Sequence, residues 1–458
     1  MTTDSTGTTE TAGSPAAFTA DELVEQYHRQ DALRHVVDEI DRHPSLSNWT
    51  GSYLPRPLFV DHREITDFGT DVLRLFELIT SLPERLFDGD IRRYTSTLGI
   101  DERRADLITS LGGIKPPCYG RADMYHDGTS FKLLEIGIAS EVGGADRAGE
   151  IPKALLENEA FAKFAADHGL GHTHTGREVA ETLRQAGQHL ADSPVVALLE
   201  GPGGLAGYAA HWNTFRDVMR GFGLDFHVAE IGDVRERDGK LYLGGTGIDV
   251  VLRCFTVEEI IGDADGLALV EPVLRAHRAG GTVLFTPLES NLFANKGALG
   301  LLSDPRWRDR FSAGELEVVD RVLPWTRSLK GAASLDDELV TYARDHREEL
   351  ILKPNGYYGG VGVVAGWDTG ADAWWKALKD GVEDGCVIQR RVIPRSEPVR
   401  DPQTGEIEPW QAAWGLFYTP RGYAGAYARA VPAFESPVIG VTAYKNTRTA
   451  GVFHYGEV

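Results

Sequence analysis

The chain has 458 residues, enough for about three domains or subdomains around a large core. Hydrophobic residues make up 42% and charged residues 25%, and a formal net charge of -21 argues against nucleic acid or an anionic membrane as a main partner. Cys118, Cys254 and Cys386 are far apart and form no CxxC pair, which reads as reduced thiols in a cytoplasmic protein. There is no run of about 18 apolar residues, so no membrane-spanning helix is expected.

Residues 1–17, MTTDSTGTTETAGSPAA, lack the basic start and apolar centre of a signal peptide and read as a disordered tail. Thr19 and Glu22 then form a capping-box pattern that opens a helix carrying Leu23, Val24 and Tyr27. Further helices are expected over 32–40 and 65–82, the second carrying Phe68, Val72, Leu75, Phe76 and Ile79 and either ending or restarting at Pro83. The stretch 18–117 is therefore read as a helical N-terminal region.

The first segment with chemistry in it opens the stretch 118–193 as YGRADMYHDGTSFKLLEIGIASEVGG. Arg121, Asp123 and Tyr125 alternate along one strand, His126-Asp127-Gly128 turns, and a returning strand carries Glu135. A three-residue loop puts Glu135 on the face of Asp123 and Arg121, and a two-residue turn puts it on the other. Two carboxylates on one face suit a hard cation such as Mg²⁺, whereas a surface hairpin with solvated acids gives the same residues. His172 and His174 have no third ligand nearby in sequence and read as a polar loop.

The stretch 194–290 follows strand–loop–helix–strand grammar: VVALLE, the GPGG loop, a helix over 208–221, then FHVAEI, LYLGG and IDVVLRCF. GPGGLAG does not fit GxGxxG with a downstream acid, so it reads as a plain turn. Helices over 257–261 and 272–279, separated by breakers at 262–266, lead to the strand TVLFTP. This is a central α/β unit of the substrate-domain kind.

In the remaining stretch, 291–458, Asn295 and Lys296 open a helix over 297–302, where a lysine ammonium can approach an anion near the helix N-terminus or simply be solvated. A helix over 335–346 leads to EELILKPNGYYGGVGVVAG, a strand that delivers Lys353 into a loop holding Gly356, Gly359, Gly360 and Gly362 before a strand resumes. Such a hairpin can fold over phosphates, with the lysine neutralising them, or can be an ordinary glycine turn. A helix over 371–379 places Trp374 and Trp375 in the core, and CVIQRRVIP is a strand whose backbone can meet an adenine edge. Strands over 414–418, 422–430 and 438–443 close an antiparallel sheet.

Taken together, GRADMYHDGTSFKLLEIG, NKGALGLLSD and LKPNGYYGGVGVVAG followed by VIQRRV resemble the ATP-grasp carboxylate-amine ligases. The similarity is to the branch with permuted connectivity that includes glutathione synthetase and glutathionylspermidine synthetase, and it covers most of 118–458. The resemblance implies an α/β (α+β) ATP-grasp fold with ATP and Mg²⁺ as cofactors. It assigns Lys296 and Lys353 to the phosphates, Gly359 and Gly360 to the lid, and Gln389, Arg390 and Val392 to the adenine pocket. Asp123 and Glu135 become magnesium candidates, and Arg121 and Arg429 become candidates at the reacting centre. The implied activity joins a small-molecule carboxylate to an amine through an acyl phosphate; the alternatives are a nucleotide-binding protein with weakened turnover and a phosphotransferase. The pattern departs from the family where Gly137 replaces the Asn of Glu-x-Asn, and where 355–358 lack an acid after Lys-Pro. A weaker metal site, recruitment of Glu141 or Asp127, and loss of the metal all remain open at this point.

Overall fold

A computed structural model describes residues 18–46, 48, 51–112, 115–330, 338–357, 359–433, 435, 438–439 and 446–456. The expected tail at 1–17 lies outside these residues, as do 335–337 of one expected helix and 440–443 of one expected strand. The largest sheet has eight strands. The hairpin Gly120–His126 and Phe131–Gly137 forms one edge; Ile407–Thr419, Gly422–Pro432 and Arg448–Tyr455 follow, each antiparallel to the one before. Ser52–Tyr53 and Leu58–Asp61 add to Arg448–Tyr455 in parallel, so the stretch expected to be purely helical also supplies strands.

The helix His62–Phe87 covers one face of this sheet, burying Ile65, Phe68, Val72, Leu75, Phe76, Ile79 and Leu82 at helical spacing. It does not stop at Pro83 but runs on for four residues and ends at Asp88, in the left-handed region with φ 52°. Residues 32–40 were expected to form one helix and instead make two 3₁₀ segments, Asp31–Leu33 and Val36–Arg42. The capping box of Thr19 and Glu22 is present and opens Ala20–Arg29.

The central unit is a parallel sheet ordered Val283–Phe285, Val250–Arg253, Val195–Glu200, Asp225–Glu230. Its second helix starts at Gly266 and runs through Pro272, earlier than the breaker pattern suggests. The GPGG loop is a structural turn: Glu230 accepts hydrogen bonds from the Gly203 and Leu205 amides, at 2.9 and 3.0 Å.

A four-stranded sheet, ordered Thr326–Ser328, Cys386–Arg390, Leu350–Pro354, Val364–Ala365, packs on the helix Ala371–Asp384 around a fully buried Trp374. Its other face looks across a cleft at the eight-stranded sheet.

Candidate active site

The hairpin at the sheet edge settles the register left open by the sequence. Its loop has four residues, 127–130, and His126 pairs with Phe131, a register that would set Asp123 opposite Leu134. A bulge absorbs one residue, so Asp123 pairs with Glu135 and both carboxylates share one face. Gly120 makes this close approach possible, because a Cβ there would lie 1.8 Å from the Gly137 carbonyl oxygen. Gly120→Ala is expected to cost about 1–3 kcal/mol in urea unfolding by forcing the two strands apart; an unchanged midpoint would contradict this packing.

Arg121 and Arg429 converge on Asp123 from two strands. Arg121 makes a bidentate pair, Nε to Oδ1 at 2.6 Å and Nη2 to Oδ2 at 3.0 Å, and Arg429 Nη2 donates to Oδ2 at 3.0 Å. Arg121 Nη1 also donates to the Gly143 carbonyl at 2.6 Å, and its guanidinium lies 5.7 Å from the Tyr427 ring centre. It can lie flat across the sheet because position 415 is glycine: a Cβ there would come within 2.9 Å of both Arg121 Cδ and the Tyr427 ring. Burial tends to raise the Asp123 pKa, but the charges of Arg121 and Arg429 outweigh it and hold the carboxyl down at about 2. Sequence reasoning missed Gly415 and Tyr427; a glycine inside an apolar strand was the available signal.

Across the cleft, Lys353 is 7% exposed and donates to the Leu134 carbonyl at 3.0 Å and to Gln389 Oε1 at 2.7 Å. Burial pushes its pKa down to about 8, against the pull of Glu135. Gln389 was expected at the adenine edge. It lines the cleft, and its buried side-chain amide bridges Lys353 and Thr326 Oγ1, so it also positions Lys353. Arg390 and Val392 line the cleft, and so do Ile351, Val363, Trp367 and Ile393, an apolar wall the sequence reading did not pick out. Trp367 is held by Arg391, whose guanidinium lies 4.1 Å from the ring centre.

Gly359 and Gly360, at φ 65° and 83°, form the loop over this cleft of about 320 Å³. Lys296 opens the helix Lys296–Ser303, with Asn295 capping Gly297 N, as the sequence suggests. It does not line the cleft. Its Nζ donates to the Tyr357 carbonyl at 2.6 Å and pairs with Glu135 Oε2 at 3.1 Å, tying the base of the glycine loop to the hairpin.

A second cavity of about 510 Å³ opens beside the first and shares Arg121, Asp123, Glu135 and Gly359 with it. Its far wall is built where strands of the parallel sheet end, with Glu200 and Cys254, and by Tyr208, Trp212 and Phe215 from the helix Leu205–Gly221. Trp212 Nε1 donates to Glu200 Oε1. Glu200 is 6% exposed, and burial, aided by Glu259 and Glu230, raises its pKa to about 7.

Asp123 and Glu135 face one another as a magnesium reading requires, yet the donor set does not fit a divalent cation. Both oxygens of Asp123 are engaged by guanidinium groups and Glu135 is paired with Lys296. Neither alternative carboxylate is recruited: Glu141 Oε2 pairs with Arg253 at 2.8 Å, and Asp127 accepts the Thr129 and Ser130 amides of its own turn. Among the described residues no group of three candidate ligands assembles, and His174 is bonded to Glu150.

No family model and no curated protein matches this sequence. Among solved structures, the chain is similar to a glutathione synthetase-like effector of Globodera pallida in its apo form, at 12% identity and a TM-score of 0.57, covering 95% of this chain and 98% of that one. It also matches a candidate gamma-glutamylcysteine synthetase of Methylobacillus flagellatus (12% identity, TM-score 0.43, 83% and 88% of the two chains). A third match is D-alanyl-alanine synthetase A of Vibrio cholerae (16% identity, TM-score 0.30, 57% and 74%). The first likeness extends over nearly the whole of both chains, and the architecture is the mixed α/β, ATP-grasp-like fold expected from the sequence.

Proposed function

We propose that the chain is an ATP-dependent ligase joining a small carboxylic acid to an amine through an acyl phosphate. The observation that carries this reading is the meeting of two cavities at Arg121, Asp123, Glu135 and Gly359. A nucleotide whose base rests on Ile351, Trp367, Val392 and Ile393 runs its phosphates past Lys353 toward that junction. Arg121 orients the acid there, with Arg429 beside it, and a carboxylate oxygen attacks the terminal phosphorus as the bond to ADP breaks. The amine nitrogen, held in the second cavity, then attacks the acyl carbon and phosphate leaves. Glu200, near pKa 7, takes the proton the amine must shed. The loop of Gly359 and Gly360 keeps water from the intermediate.

The test is phosphate release from ATP against a panel of acids and amines, with Mg²⁺ present. Release that requires one acid and one amine together is expected; release indifferent to both would overturn the reading. A second expectation concerns protons. A polyphosphate beside Lys353 restores its charge, so ATP binding takes up a fraction of a proton per site above about pH 8 and little below about pH 7. Calorimetry in buffers of different ionisation enthalpy reads this directly, and equal uptake at both pH values would contradict it.

A further inference from the structure

We infer that this cleft binds its nucleotide on fixed side-chain cations, with Arg429 and Arg121 occupying the carboxylate that a metal would need, so that ATP binding is independent of divalent metal. The inference rests on the ATP reading above and concerns the same site.

The space for a metal ligand has been filled. A Cβ on Gly137 would lie 2.8 Å from Val142 Cγ1, so an apolar side chain holds the volume that a side-chain ligand at 137 would need. The backbone oxygen of Gly137 already accepts from Tyr418 Oη at 2.8 Å. Freeing Asp123 for a cation would strip two buried guanidinium groups of their shared counter-ion and set a dication beside them.

The same residues are arranged to receive an anion. Arg121, Arg429 and Lys353 line the cleft with Asp123 and Glu135, Lys296 pairs with Glu135 from outside it, and Asp368 and Glu435 bring two more carboxylates to the lining. Lys353 spends its hydrogen bonds on neutral acceptors only, a carbonyl and an amide. Arg429 lines the cleft, is 8% exposed, and its buried Nε has no hydrogen-bond acceptor among the described residues. Arg429 spends only Nη2 on Asp123, so the guanidinium face it turns to the cleft is the part that meets a phosphate oxygen.

The experiment is titration calorimetry of the full chain with ATP, once in EDTA and once in excess Mg²⁺. Dissociation constants within about tenfold of each other are expected. Tightening by more than that in Mg²⁺ overturns this inference and leaves the ligase reading standing, whereas no binding under either condition overturns both. Arg429→Gln serves as a second arm. It removes a fixed cation and one of the two guanidinium groups on Asp123 Oδ2, leaving Arg121 as the sole partner of that carboxylate, so it is expected to weaken binding in EDTA by about tenfold or more and to make binding respond to Mg²⁺. Unaltered affinity in EDTA would remove Arg429 from the role given to it.

Discussion

Lys353→Met is expected to release phosphate from ATP about 10²- to 10³-fold more slowly than the native chain while unfolding in urea at nearly the same midpoint. The loss follows from removing the buried ammonium that faces the polyphosphate. Stability stays level because two effects oppose. Lowering the lysine from 10.5 to about 8 corresponds to roughly 3 kcal/mol of burial cost, which methionine of similar length escapes. Against this, the Leu134 carbonyl and Gln389 Oε1 lose their donor, at about 1–3 kcal/mol each. The pH dependence has a definite sign. Between about 8 and 10.5 the unfolded chain binds the proton more tightly than the folded one, so native stability gains on the variant as pH rises through that window. A native-minus-variant difference that falls there would contradict the burial of Lys353.

Asp123→Asn is expected to destabilise the protein by about 3–5 kcal/mol, the larger structural effect, because Arg121 and Arg429 are left buried without a counter-ion. The Asp123 pKa is depressed, from 3.8 to about 2. Its contribution is therefore present in full above the unfolded value and is lost as pH falls through the folded one. The gap between native chain and variant stays level above about pH 5 and narrows by about 2–3 kcal/mol between about pH 4 and pH 2. Urea titrations across that range check it, and a gap that stays constant would mean that Asp123 is not the shared counter-ion.

Much of the fold was legible because local signals and burial agreed. The alternation of Arg121, Asp123 and Tyr125, the cap of Asn295 on Lys296, and the apolar spacing from Phe68 to Ile79 each predict an element that is present. Pro83 misled because a proline four residues from a helix end removes a hydrogen bond that the packed face of Leu82, Leu86 and Phe87 outweighs. The strand Arg448–Tyr455 was not read, since it takes parallel partners from near the N-terminus, and Ser396–Arg400 was missed although it forms a local hairpin with Ile407–Thr419, because Pro398 and its charged neighbours hide the strand pattern.

The candidate site was legible as residue types and not as contacts. Asp123 and Glu135 were identified as a pair, but a bulge puts them on one face, and a bulge leaves no clear mark in FKLLEIG. That Gln389 serves Lys353 and that Arg429 shares Asp123 with Arg121 depend on residues 36 and 306 positions apart, and Val142 reaches Gly137 only through the path of the loop after the strand. No spacing rule reaches so far. Trp367 was passed over because a tryptophan after a glycine strand reads equally as core.

The ligase reading turns on whether an acyl phosphate forms before the amine arrives. Positional isotope exchange addresses this: ATP carrying a heavy-oxygen label in the β,γ-bridge is incubated with the protein and the acid found in the turnover screen, with no amine. Reversible cleavage lets the β-phosphate of bound ADP rotate, so the label is predicted to scramble into non-bridging positions only when the acid is present. Full turnover with acid and amine together, but no scrambling with the acid alone, would contradict the account.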